Sequence, residues 1–306
     1  MNILHTHEAG MTNLISIVLI VVLVVMVSGL AAVKPDNATA KYKQYLNDFM
    51  RIRGDASGRD AVFYWSGTVY SYVPGEKKQE LFKFEGFNTA RTIITAEGFQ
   101  LLTREAAFYE DPKTGEILNT WTNPFTATEV PVVHVWNDPV NQDISFPEEY
   151  LPYIEKFLPS SDWGELRCYN MEIFPFYPSP LPREQYPEFS QSDTYQAGEF
   201  FQFFAEREDL AKKRLKSVPA FITWTRISPW MPFMMMGDRP GNLLFVCRGM
   251  KLKKGFAGLP RHIREYVKAN KPEFMSPPTE WSEPNETSWT YFKKLMDQGF
   301  YMPYKK

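Results

Sequence analysis

The sequence predicts a mainly β protein, an antiparallel meander forming a closed or nearly closed barrel with helices at its carboxyl end. Three observations carry this. Aromatic residues make up 16% of the 306 residues and gather with β-branched ones in short runs. Turn residues separate those runs at short intervals, which forces antiparallel neighbours. The apolar period changes from two to about 3.6 only near the carboxyl end. A long meander presents exposed edges unless it closes, so a barrel of about nine or more strands is expected.

The elements follow in order. Leu14–Val33 reads LISIVLIVVLVVMVSGLAAV, uncharged and long enough for a bilayer, which takes about 20 residues as a helix. The small residues Gly29 and Ala31 suit cleavage after Ala31, but no Lys or Arg precedes the apolar run, unlike an ordinary export signal. Residues 1–33 are therefore expected to be a signal peptide or a membrane anchor. Residues 34–306 are expected to form one β-rich domain, exported to the periplasm or secretory pathway or tethered to a membrane.

Phe63–Val73 (FYWSGTVYSYV) is the first predicted strand, and PGEKK the turn after it. Glu80–Thr95, Phe99–Glu110, Ile117–Asn123 and Val130–Asn137 extend the meander to five strands, with DPKTGE as a turn. In Phe174–Pro182 four prolines remove backbone donors, so this stretch is an extended loop. Strand patterns return at Gly164–Phe174, Glu199–Glu206, Ala220–Ile227 and Asn242–Met250. LPRHIREYVKAN and SWTYFKKLMDQGF read as helices, with Pro260 suited to a first turn.

Several chemistries are excluded. The net charge is −2 and no basic stripe occurs, so nucleic-acid binding is not expected. Cys168 and Cys247 form no CxxC pair, which leaves no thiolate zinc site; a disulfide between them stays open. Beyond the leader only His134 and His262 remain, so a three-histidine zinc site is impossible, and no metal is expected. HExxH, GxSxG, GxGxxG and GxxxxGK[ST] are all absent, and no cofactor is expected.

Three segments remain. In VPVVHVWNDPVN, strand alternation places Val132, His134 and Trp136 on one face, a mixed wall of the kind a pocket has. His134 is either a buried hydrogen-bonded histidine or an acid–base group, since imidazole ordinarily titrates near 6.5. Asp138 is its candidate partner or a turn former before Pro139. In LFKFEGFNTAR, Glu85 shares a face with Lys83 and Phe87; facing inward it is a candidate acid, with Arg91 and Arg104 available to compensate it. A bulge at Gly86 would reset that parity. The loop TRISPWMPFMMMGDRPG is apolar where loops are usually polar. It is either a lid over a ligand, with Trp230 and Met234 as walls, or a plug sealing one barrel end.

These segments together resemble the family catalogued as domain of unknown function 1838. The words that carry the likeness are FYWSGTVYSYVPGE, LFKFEGFN, REAAFYEDPKTGEILNTWTNPF, VPVVHVWNDPVN, RISPWMPFMMMGDRPG and PNETSWTYF, which recur in order from about Ala61 to Phe292. The resemblance implies an export signal, often of twin-arginine type; no Arg pair stands here. It implies no catalytic residue. The strand pattern is similar to lipocalin-like barrels, an analogy of fold only.

The functional expectation is a barrel pocket that binds a small apolar or aromatic molecule, with or without cofactor-independent acid–base conversion of the isomerase, lyase or cyclase type. His134, Glu85 and Asp138 are the candidate proton-transfer groups. Arg104 and Arg226 are candidate anion stabilisers, and Trp136, Trp230 and Met234 candidate walls. A non-catalytic carrier or an envelope structural protein are the alternatives.

Overall fold

The computed structural model of the chain describes residues 35–301. The leader and its expected cleavage or anchoring lie outside them. Among the described residues no helix is long and apolar enough to cross a membrane.

A sheet of ten antiparallel strands dominates. Strands β1 (Ala61–Tyr72), β2 (Glu80–Ile94) and β3 (Gly98–Glu110) form the expected meander. Strands β4 (Thr120–Thr122) and β5 (Glu129–Pro131) stand apart as a two-stranded ribbon. The chain rejoins the sheet at β6 (Val135–Asn137) and β7 (Gln142–Ser145), both paired with β3. It continues through β8 (Ser160–Trp163) and β9 (Leu166–Ile173). A short hairpin, β10 (Phe176–Pro178) with β11 (Thr194–Gln196), marks the proline-rich segment. Strands β12 (Gly198–Glu206), followed by a short helix α3 (Arg207–Ala211), β13 (Phe221–Ser228) and β14 (Asn242–Lys251) complete the sheet. The order across it is β6-β3-β2-β1-β14-β13-β12-β9-β8, with β7 continuing the β6 edge.

Two expectations need correction. Ile117–Asn123 and Val130–Asn137 are not the fourth and fifth strands of the meander. Only Ile117 bridges to Glu110, and residues 132–134 are irregular between β5 and β6. The Val132 N–H still donates to the Asn119 carbonyl at 2.9 Å, and the ribbon ends there. The barrel does not close either: no ladder joins β7 to β8 among the described residues. Those two edges are consecutive in the chain, and the segment between them folds as a helical turn at Glu148–Tyr153 and a short helix, α2 (Ile154–Phe157). A further helix, α1 (Pro35–Arg53), packs against both sides. A helix is about 10 Å wide, whereas paired strands must approach to about 4.8 Å.

The sequence KYKQYLNDFMRIR explains why α1 forms and how it docks. Tyr45, Leu46, Phe49 and Met50 recur at helical spacing and are buried. Arg51 and Arg53 lie in the last turn, where cations complement the helix dipole. The Phe49 ring centroid lies 6.3 Å from Phe99 of β3, 5.4 Å from Tyr169 of β9 and 5.7 Å from Phe203 of β12. Full burial of such a ring contributes about 1.5–3 kcal/mol. Arg51 is fully buried beside the Asp48 carboxylate, and it donates to the carbonyls of Leu210 at 2.6 Å and of Lys212 and Leu215 at 3.3 Å.

The outer face of β1, β2, β3 and β6 is covered by α4 (Arg261–Asn270). Ile263 and Val267 pack there with Val62, Phe87, Phe108 and Trp136. Pro260 precedes this helix as its cap rather than opening its first turn. The last helix, α5 (Ser288–Asp297), starts with a capping box in which the Thr290 N–H donates to the Thr287 hydroxyl. The apolar loop after β13 is packed tightly: Trp230, Met231, Phe233, Met234 and Met236 are all buried in the inner core. It plugs one end of the curved sheet.

Candidate functional site

Side chains alternate across a strand, so each strand sends every second residue to the concave inner face. Near α1 that face is apolar, with Phe63, Phe99, Leu101 and Phe203. Near the plug it is apolar again, with Val69, Phe82, Phe84, Tyr109 and Phe245. Between the two clusters runs a polar belt. Glu105 of β3 stands opposite Asn88 of β2 on one side and Asn137 of β6 on the other. Glu199 of β12 and Arg226 of β13 are register partners and complete the belt. Arg53 enters from the end of α1.

Few of these groups satisfy one another. The Asn137 amide is 3.5 Å from Glu105 Oε1, and Asn88 donates to the Arg104 carbonyl at 3.2 Å. Arg226 Nη2 donates to the Tyr195 hydroxyl at 2.6 Å, and its Nε is 3.7 Å from Glu199 Oε1. Trp224 Nε1 donates to Glu199 Oε2 at 3.1 Å. Arg53 donates to Gln142 Oε1 at 3.0 Å and lies 4.9 Å from the Phe203 ring centroid. Six buried polar atoms make no hydrogen bond: Trp65 Nε1, Tyr109 OH, Asn88 Oδ1, Asn137 Oδ1, Arg53 Nε and Arg226 Nε. Buried polar groups are nearly always hydrogen-bonded, so such a concentration on one face needs an explanation. Glu199 and Arg226 keep 20% and 15% of their side-chain surface uncovered.

Gly86 is part of the construction. A Cβ there would stand 2.7 Å from Trp65 Nε1 and 2.6 Å from the Ala107 Cβ. Its absence leaves room for the indole against Gly86 of β2. The β2–β3 register runs through Gly86 unbroken, so Phe82 and Phe84 face inward while Glu85 faces outward.

The belt shifts its own charges. Burial first, then repulsion from Glu199, pushes the Glu105 carboxyl up to about 7, against Arg226, the Asn137 hydrogen bond and Arg53. Burial lowers the Arg53 guanidinium to about 10. Burial also opposes the Arg226 cation, yet Tyr195 and Glu199 hold it above the usual arginine value.

Of the residues singled out in the sequence, only Arg226 belongs to this belt. His134 sits just behind it. Its Nδ1 accepts the Tyr109 backbone N–H at 3.2 Å, its ring stacks on Tyr109, and burial lowers its pKa to about 4. It is a neutral buried imidazole that braces Tyr109. Trp136 is in the outer core against Phe108 and Phe274. Arg104 and Asp138 do meet, at 2.8 Å, but on the outer side, where Arg104 also donates to the carbonyls of Glu273 and Ser276. Trp230 donates to the Arg239 carbonyl within the plug, and Met234 is fully buried there. Glu85 lies on the outer face beside Glu110 and His262. There burial, then the Glu85 charge, pushes Glu110 up to about 7. Cys168 and Cys247 are free and buried; burial raises both thiols, Cys247 to about 12, so neither is reactive.

Sequence reading missed Glu105, Glu199, Arg53, Trp65 and Tyr109. The signal for Glu105 was present in FQLLTREAAFYE. There the glutamate shares parity with Leu101, Ala107 and Tyr109, and Arg104 does not. Two surface clefts, one beside Met235 and Asp238 and one beside Tyr45 and Arg167, share no residue with the belt.

Fold and site together define a class: a curved antiparallel sheet, plugged at one end and filled by a helix at the other, with a polar belt across its interior. The chain belongs to the family described as "Protein of unknown function (DUF1838)", which it matches over residues 58–296. The matched stretch holds every belt residue except Arg53. No curated protein matches the chain.

Proposed function

We propose that the belt binds a small, largely apolar or aromatic molecule with one polar edge, and that Glu105 moves a proton on it. The observation that carries this is the six polar atoms around Glu105 that make no hydrogen bond, set between two aromatic clusters. Such a layout suits a ligand whose rings lie against Phe84, Trp224 and Phe245 while its polar edge meets the belt. A carboxyl titrating near 7 is suited to act as acid in one step and base in the next at neutral pH. Arg226, fixed by Tyr195 and Glu199, is a preorganised positive charge for an enolate or carboxylate that develops nearby. Trp65 and Tyr109 add neutral donors. The chemistry is cofactor-independent isomerisation or elimination. In this reading the curved sheet does the work of a lipocalin-like barrel without full closure, and the Leu14–Val33 segment exports or tethers it.

The test uses the ligand extracted from chain purified from its own host. Presented to the wild-type chain and to Glu105→Gln, it is expected to bind both, while turnover falls on the order of 10²–10⁴-fold in the variant. Equal turnover in the two would remove Glu105 from the chemistry. Saturable binding with no product from either supports a carrier instead.

A further inference from the structure

On the opposite face of the sheet from the belt, we infer a binding site for a first-row divalent cation, Zn²⁺ foremost, formed by Glu85, Glu110 and His262. Glu85 projects from β2 and Glu110 from β3, two residues apart in register, since Glu85 pairs with Phe108 and Lys83 with Glu110. Both side chains therefore point outward. The second residue of α4 brings His262 over them. One donor atom from each lies within 4.8 Å of the other two.

The spacing favours a metal over a salt bridge. His262 Nε2 is 3.4 Å from Glu85 Oε2 and 3.5 Å from Glu110 Oε1. A charge-assisted hydrogen bond draws its atoms to about 2.7–2.9 Å. Ligands at about 2.0–2.2 Å from a tetrahedral ion stand roughly 3.3–3.6 Å from one another. A second observation points the same way. The Glu110 side chain is 3% exposed, and its Oε1, aimed at the imidazole, accepts no hydrogen bond; nor does the buried Glu85 Oε2. Two carboxylate oxygens that meet only an imidazole nitrogen, at 3.4 and 3.5 Å, are what a cation would hold together.

The donor set sets the cation class. Two carboxylate oxygens and one imidazole nitrogen suit Zn²⁺, and Mn²⁺ or Fe²⁺ more weakly, whereas Mg²⁺ seeks oxygen ligands in an octahedron. Three protein ligands leave a fourth position open, on the side where His262 is 49% exposed. Lys83, opposite Glu110 in the β2–β3 register, is the nearby cation that would compete. Counting histidines from the sequence could not reveal this site, because two of its three ligands are strand glutamates that only the register brings together.

The experiment is calorimetric titration of the purified, chelator-stripped full chain with ZnCl₂ near pH 8, repeated with MnCl₂ and MgCl₂. One Zn²⁺ equivalent is expected to disappear, or weaken on the order of 100-fold, in both Glu110→Gln and His262→Ala. Glu265→Gln, an exposed residue of α4 paired with Arg261, is the control and should change nothing. His5 and His7 near the amino terminus can hold an equivalent of their own, which survives both variants. His262 is half exposed, so His262→Ala keeps the test valid even where Glu110→Gln disturbs folding. The same Zn²⁺ stoichiometry and affinity in His262→Ala as in the wild type would overturn the site.

Discussion

Glu105→Gln is expected to stabilise the chain near pH 8 and to leave its stability almost unchanged near pH 4.5. Unfolded, a glutamate titrates near 4.5; in the belt, burial and Glu199 push Glu105 up to about 7. Below 4.5 both states carry the proton, so Glu105 has no stability effect through its charge. Between 4.5 and 7 the unfolded chain releases the proton while the folded chain keeps it, and stability falls as pH rises. Above 7 the folded state must hold a charge in a poorly solvated place. The accumulated loss is about 3 kcal/mol. Glutamine has the shape of the protonated acid and never ionises, so the variant escapes that loss. Urea unfolding of wild type and variant at both pH values measures it. A gain of the same size at both would show that the effect is packing rather than charge.

Arg51→Met is expected to lower stability by about 3–5 kcal/mol. The arginine is fully buried and serves the Asp48 carboxylate and three carbonyls of the 210–215 segment. Methionine replaces the apolar stem but none of the donors. Removing one member of a buried charged network strands the others, which costs more than the network's net contribution. Because Arg51 fixes α1, and α1 carries Arg53 into the belt, ligand binding should weaken in parallel. A loss under about 1 kcal/mol in thermal or urea unfolding would mean that water readily replaces the guanidinium.

The strands were the legible part of the fold. β1, β2 and β3 and the run from β12 to β14 stand close to where alternation and turn residues place them, because half-buried strands write a period of two into the sequence. Closure was not legible. Edge pairing depends on how tightly the sheet curves and what fills it, and here α1 fills it. That helix also has a readable pattern, with Tyr45, Phe49 and Arg53 four apart, but it lies between the apolar leader and the first strong strand. His134 drew attention by its residue type, yet it lies in the irregular stretch between β5 and β6, where its ring accepts the Tyr109 backbone N–H. Glu199 and Arg226 meet as register partners of adjacent strands, whereas Glu105, on β3, nears them only through sheet curvature. Strand parity alone could have brought Glu105 to the inner face; nothing in the sequence could have paired it with Glu199.

Native mass spectrometry of the full chain purified from its own host tests the belt as a ligand site most directly, when run beside Ala107→Leu. Ala107 follows Glu105 on the inner face and is the register partner of Gly86, against which the Trp65 indole rests, so a larger side chain fills the space next to the belt. A stoichiometric small-molecule adduct is expected on the wild type and is expected to be lost from a folded Ala107→Leu chain. An identical adduct on both, or none on the wild type at any ligand supply, would contradict a ligand site in the belt.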